Sequence, residues 1–328
     1  MLLLCTLLHF SVDGVCAAVM ANYAVSEPEF SRIVYYFGIY NLIAFGGQWL
    51  AGLFLDKHKA LVVPSLAVTP LLLAGGFFGG IFARTVLVAT GNCIFHVAAG
   101  IIILERSDTF REPGIFVSSG AVGLALGLYR FVRASYFEAL CIVCTAIALL
   151  VLRKSHRPSS PHELTHNENF AWLIAGALML LVCVVLRGFG GSSRVPEYVM
   201  LMPCVFMLGK SAGGILCDII GFRKTILAIF VMSCAALQVK GLWGAVILTF
   251  AFNMTMPLTL RMLHWYFPEY PGLTFGLAAG CLLPGAFFGK YFGVAPVVMS
   301  VMQFLSLFAA GYIFVHYRRD GKFTLPLQ

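Results

Sequence analysis

GILCDIIGFRK, residues 214–224, closes an apolar run with a lone aspartate, Asp218, and follows it with Gly221 and two cations, Arg223 and Lys224. A shorter version, GLFLDKHK at 52–59, closes another apolar run with Asp56 and Lys57, and the two aspartates stand 162 residues apart. An aspartate at the carboxyl end of a helix meets the negative end of the helix dipole. It needs a partner, either the amino end of a neighbouring helix or a cation such as Arg223 or Lys57. Gly221 suits the left-handed turn that ends a helix, and Gly214 lets another helix approach closely. A second pair of segments repeats as well: EPGIFVSSGAVGLALG at 112–127 aligns with YPGLTFGLAAGCLLPG at 270–285, an offset of 158. That alignment puts Pro113-Gly114 on Pro271-Gly272 and Gly127 on Gly285. Two matches at nearly one offset read as duplication of a unit about half the chain long.

The composition fits this reading. Of 328 residues, 60% are apolar and 11% charged, against roughly 45–50% and about 25% in soluble domains. A soluble fold is excluded. The formal charge of +8 comes from 22 Lys and Arg scattered singly among apolar runs, which is no nucleic-acid surface but does suit membrane lipid headgroups. A spanning helix takes about 20 apolar residues, and twelve stretches qualify or come close: 1–24, 33–55, 61–83, 86–104, 114–129, 134–152, 170–186, 198–217, 225–239, 242–260, 273–288 and 297–315. They are apolar all round, so they do not alternate as barrel strands would. The first lacks a basic leader and carries Asp13, so it reads as helix 1 and not as a secretory signal.

The expected fold is an all-α polytopic membrane protein, twelve transmembrane helices in two pseudo-symmetric six-helix bundles. The one long polar interval, RKSHRPSSPHELTHNEN, sets the divisions: an amino-terminal bundle at 1–152, a cytoplasmic linker at 153–169, a carboxyl-terminal bundle at 170–317 and a tail at 318–328. Thirteen Lys and Arg, Arg261 among them, fall in connections on the side of the termini and eight on the other. That bias puts both termini in the cytoplasm, in the cell membrane. The ten cysteines lie within or beside apolar spans and read as small buried hydrophobes. The linker histidines 156, 162 and 166 lack the fixed geometry of ligands, so no metal site and no cofactor is expected.

The Asp56 and Asp218 segments resemble the signature G-x-x-x-D-x-x-G-x-R-K of the major facilitator superfamily, which lies between helices 2 and 3 and is often echoed between helices 8 and 9. The second copy keeps Gly214, Asp218, Gly221, Arg223 and Lys224; the first keeps Gly52, Asp56 and Lys57 and lacks the later glycine. The resemblance implies a cytoplasmic gate at these residues and a cavity lined by helices 1, 4, 7 and 10. A static cap that fixes loop topology is the plainer reading of the same residues.

Charges inside a bilayer are costly, so each is a candidate for function. His9 and Asp13 are four apart on helix 1, and Asn92 and His96 are four apart on helix 4, each pair on one face. Asn41 and Gln48 lie in helix 2, Arg187 near the end of helix 7, Lys210 in helix 8 and Asn253 in helix 10. By the resemblance, His9, Asp13, Asn92, His96, Arg187 and Asn253 would face the cavity. Asp13 is the candidate proton carrier, with His9 to relay; a fixed ion pair between Asp13 and Arg187 is the alternative. Arg187 and Lys210 against Asp13 leave one excess positive charge, which tilts the substrate toward an anion or zwitterion. Gly209-Lys210-Ser211 is no Walker motif, and H-E-x-x-H, G-x-S-x-G and paired helix aspartates are missing. The expectation is therefore a monomeric, non-enzymatic secondary transporter of a small solute, possible proton coupling included. A transporter-like scaffold or receptor, and then a membrane enzyme, are the alternatives.

Overall fold

Backbone amides without water to bond must pair within their own segment, and in a computed structural model the apolar runs fold into helices throughout. The structure describes residues 1–154, 170–190, 199–289 and 294–317. Most of the expected linker, with its three histidines, and the expected tail lie outside the described residues. The helices are α1 Leu2–Ser26, α2 Phe30–Lys57, α3 Lys59–Phe77, α4 Ile81–Arg106, α5 Arg111–Leu128 and α6 Ala134–Lys154. The second set is α7 Phe170–Gly190, α8 Leu201–Ile220, α9 Phe222–Ala236, α10 Leu242–Tyr266, α11 Pro271–Phe288 and α12 Pro296–Tyr317. Ten of these are long and apolar enough to cross a membrane. Of the other two, α9 has 15 residues and α5 spends its first turn on Arg111 and Glu112.

Two boundaries differ from the sequence reading for local reasons. The third span stops at Phe77 and not at 83, because Gly79 turns the chain with a φ of 79° and Ile81 already opens α4. Arg261, expected in a connection, lies inside α10 and is completely buried. Two helices are interrupted. A π turn at Leu42–Gly46 breaks α2, and α11 is broken at Cys281, where the ring of Pro284 removes a backbone donor.

Polarity runs opposite to that of a soluble protein. Leu71 and Ile219 are each 73% exposed, while Asn92 and Arg261 are 0% exposed. The outer surface is therefore lipid-facing, and the polar side chains point inward. Within the first six helices α1 packs on α4, α5 and α6, while α4 packs on α2 and α3, and α3 on α6. The second six repeat every one of these contacts: α7 on α10, α11 and α12, α10 on α8 and α9, and α9 on α12. Between the halves α2 meets α11 and α5 meets α8, with α4 on α11 and α5 on α10 beside them. Adding six to each helix number turns every cross-contact into its partner, which is the signature of a pseudo-twofold axis.

Candidate functional site

The two signature aspartates sit where the halves touch. Asp56, at the end of α2, accepts the Gly272 N–H at 2.9 Å and the Leu273 N–H at 2.8 Å, the first amides of α11. Asp218, at the end of α8, accepts the Phe110 N–H at 2.8 Å and the Arg111 N–H at 3.0 Å, where α5 begins. Each carboxylate leaves the negative end of its own helix dipole and caps the positive end of a helix from the other half. Of the two partners that the sequence left open, the helix amino terminus is the one used. Lys57, Arg223 and Lys224 are exposed. The cation that does reach Asp56 is Lys59, at 3.2 Å, and it also holds Glu105 of α4 at 2.7 Å.

The glycines explain the spacing of the motif. A Cβ on Gly52 would strike the Gly272 carbonyl, and one on Gly214 would strike that of Phe110. The helices thus cross backbone to backbone at the glycine, and the aspartate one turn later reaches the partner's first amides. Gly221 takes φ 86°, ψ 162°, a region essentially restricted to glycine, and reverses the chain directly into α9. The first copy, lacking that glycine, turns through His58 and a short 3-10 segment at Lys59–Leu61.

These contacts also correct the internal alignment. Asp56 and Asp218, Gly52 and Gly214, Gly272 and Phe110, and Gly276 (against Gln48) and Gly114 (against Lys210) are equivalent pairs, each 162 residues apart. The 158 offset misplaced α11 on α5 by four residues, one helical turn. A Pro-Gly dipeptide happens to recur there, but the structural match pairs Gly123 with Gly285 and Gly127 with Gly289. Gly123 rests on the Phe10 carbonyl of α1 and Gly285 on the Val185 carbonyl of α7. In both copies the glycines of this helix are surfaces for close packing.

A third contact across the halves escaped the sequence reading. Arg261 of α10 donates from Nε to the Thr109 carbonyl and from Nη1 to the Leu104 carbonyl, both at 3.0 Å. Its charge sits at the carboxyl end of α4, where carbonyls lack helical partners. The signal that could have found it is a lone arginine within reach of the preceding apolar run.

Deeper in the bundle, α1 and α4 bring His9, Asp13, Asn92 and His96 together. Asn92 Nδ2 donates to Asp13 at 3.1 Å; His9 Nε2 lies 3.2 Å and His96 Nε2 3.5 Å from the same carboxylate. The two Nε2 atoms are 2.9 Å apart, with the rings edge to face. His9 Nδ1 is 2.8 Å from the Phe116 carbonyl and His96 Nδ1 is 2.8 Å from the Asn92 carbonyl. Carbonyls only accept, so both rings carry hydrogen on Nδ1. Two bare Nε2 lone pairs at 2.9 Å would repel, a conflict that a shared proton or another cation would relieve.

Gly120 of α5 makes the room, since a Cβ there would collide with Asp13 Oδ2 and His9 Nε2. Gly120→Ala is expected to break the pairing and cost about 1–3 kcal/mol of stability through overpacking, read as a lower unfolding temperature in detergent. Gly38→Ala, where nothing lies within 4 Å, is the neutral control.

The other predicted polar residues are placed apart. Arg187 does not pair with Asp13. It donates from Nη1 to Thr255 and Thr259 of α10, both at 3.3 Å, and its Nη2 is buried without a partner. Lys210 crosses from α8 to the Val117 carbonyl of α5 at 3.2 Å. Asn253, Asn41 and Gln48 each bond a carbonyl of their own helix, and the Gln48 Oε1 is buried and unpaired.

No family model and no curated protein matches this sequence. Solved structures do. A bacterial homologue of the iron transporter ferroportin, outward-facing, is 13% identical, covers 97% of this chain and 98% of its own, with a TM-score of 0.60. A major facilitator superfamily transporter, FucP, in the outward conformation is 12% identical with coverage of 93% and 96% and a TM-score of 0.56. The fucose:proton symporter of E. coli is likewise 12% identical, with coverage of 95% and 96% and a TM-score of 0.57. The chain has the major facilitator fold.

Proposed function

We propose that this protein is a secondary transporter of a small solute that works by alternating access and is driven by protons bound at His9, His96 and Asp13. The observation that carries the reading is the 2.9 Å contact between two imidazoles whose other nitrogens are both committed to carbonyls. Such a site has one vacancy, and a proton fills it. The moving bodies are the halves 1–152 and 170–317, joined by 153–169 and followed by the tail 318–328. Asp56 and Asp218, seated on Gly52 and Gly214, form the gate, and Arg261 reinforces it. The Lys and Arg bias puts this gate, both termini and the linker on the cytoplasmic side of the cell membrane. With the gate shut the cavity faces outward, the state named for the ferroportin homologue and for FucP.

Arg187 and Lys210 supply the solute end of the cavity, with Asn253 and Asn41 as further polar groups. Neither cation has a carboxylate partner among the described residues, so an anionic or zwitterionic solute would complete them. The cargo named for the solved relatives, fucose in one and iron in another, is too varied for the fold to choose. The protein works as a monomer, because the pseudo-twofold axis lies within one chain. The test is uptake of a panel of labelled solutes into proteoliposomes with and without an inward pH gradient. At one proton per solute, a gradient of one pH unit should concentrate the substrate about tenfold. Uptake of a solute that never exceeds equilibration under any gradient would overturn proton coupling, and no uptake of any solute would overturn transport.

A further inference from the structure

We propose that His9, His96 and Asp13 also bind a divalent transition-metal cation. The inference rests on the transport reading in one respect, that metal binding and solute coupling would use the same side chains. One nitrogen from each of two rings and a carboxylate oxygen offer three donor atoms, all within 4.8 Å of one another. The two Nε2 atoms are 2.9 Å apart, and the carboxylate lies 3.2 Å from His9 through Oδ2 and 3.5 Å from His96 through Oδ1, close to the roughly 3.3 Å between ligand atoms of a tetrahedral ion with bonds of about 2.0–2.1 Å. The ligands come in the arrangement metal sites use. Each histidine donates its Nδ1–H to a backbone carbonyl, which fixes the ring and leaves the Nε2 lone pair free. Asn92 steadies the carboxylate through Nδ2, while its own Oδ1 is buried and unpartnered, an acceptor beside the cluster for a metal-bound water. Two imidazoles and one carboxylate select borderline ions such as Zn²⁺ or Co²⁺ and not Mg²⁺ or Ca²⁺, which require oxygen shells.

The full-length protein, purified in detergent, would be titrated with Co²⁺ and followed by its visible absorption. Zn²⁺ would be titrated by calorimetry. The expected result is one metal per chain and no heat from Mg²⁺. His96→Gln and Asp13→Asn should each weaken binding by at least 100-fold, whereas a variant with the three linker histidines 156, 162 and 166 changed to alanine should bind as before. Metal binding unchanged by His96→Gln and Asp13→Asn overturns the proposal. So does the lack of any binding to unmodified protein that still accumulates its solute under a pH gradient, an outcome that leaves the transport reading standing. Metal binding as described, in protein that moves no solute, overturns the transport reading alone.

Discussion

Replacing Asp56 and Asp218 together by asparagine should open the gated end of the molecule. In the closed state each carboxylate accepts two backbone N–H groups from a helix of the other half. Hydrogen bonds to a charged group contribute about 1.5–3 kcal/mol, and the favourable charge at a helix amino terminus adds roughly 0.3–1 kcal/mol. Asparagine keeps one acceptor oxygen and loses the charge. About 2 kcal/mol per site is therefore removed from the closed state alone, because these contacts cannot exist once the halves part. The two sites share no residue, so their effects should add. A total of about 4 kcal/mol shifts the closed–open balance by several hundred-fold. Spin labels at Lys57→Cys and Glu269→Cys, exposed positions on opposite halves near the gate, would report a longer distance in the double variant. An unchanged distance distribution in the double variant would reduce the aspartates to static caps.

Much of this contact between the halves was legible in the sequence, and for a physical reason. The motif is local: the glycine that permits the crossing and the aspartate that caps the next helix are four residues apart, so one stretch of chain carries the geometry. The same holds for the His9–Asp13 and Asn92–His96 pairs, which a helical turn puts on one face. What a single stretch cannot carry is which helix it meets. The fixed ion pair between Asp13 and Arg187 failed on this point, because Thr255 and Thr259 stand closer to the arginine than any carboxylate does. The union of His9 with His96, 87 residues apart, has no spacing rule. Arg261 was assigned to a connection because a lone arginine after apolar residues normally marks a membrane edge. Here two backbone carbonyls of the other half bond its Nε and Nη1, and the helix runs on to Tyr266.

Asp13→Asn should abolish gradient-driven accumulation and leave solute exchange intact. On the proposed reading the proton between His9 and His96 makes one imidazolium in the unmodified protein, and the Asp13 carboxylate at 3.2 and 3.5 Å balances it. Asparagine has nearly the same shape and can still meet Asn92, but it carries no charge. An uncompensated charge in the bilayer interior costs roughly 2.5–3.5 kcal/mol, which favours loss of the proton. Both Nε2 atoms then present lone pairs at 2.9 Å, and one ring must turn away, giving up its carbonyl. The site no longer takes a proton on one side and releases it on the other, so a pH gradient has nothing to pull on. The locks at Asp56 and Asp218 and the solute end at Arg187 and Lys210 are untouched, so the halves can still rock with solute aboard. In proteoliposomes the accumulation ratio should fall from about ten to about one, while counterflow of preloaded solute proceeds at a comparable rate. Concentrative uptake by Asp13→Asn would move the coupling proton elsewhere in the molecule. Loss of counterflow as well would mean that Asp13 binds the solute itself, since only direct contact links both modes of transport to one carboxylate.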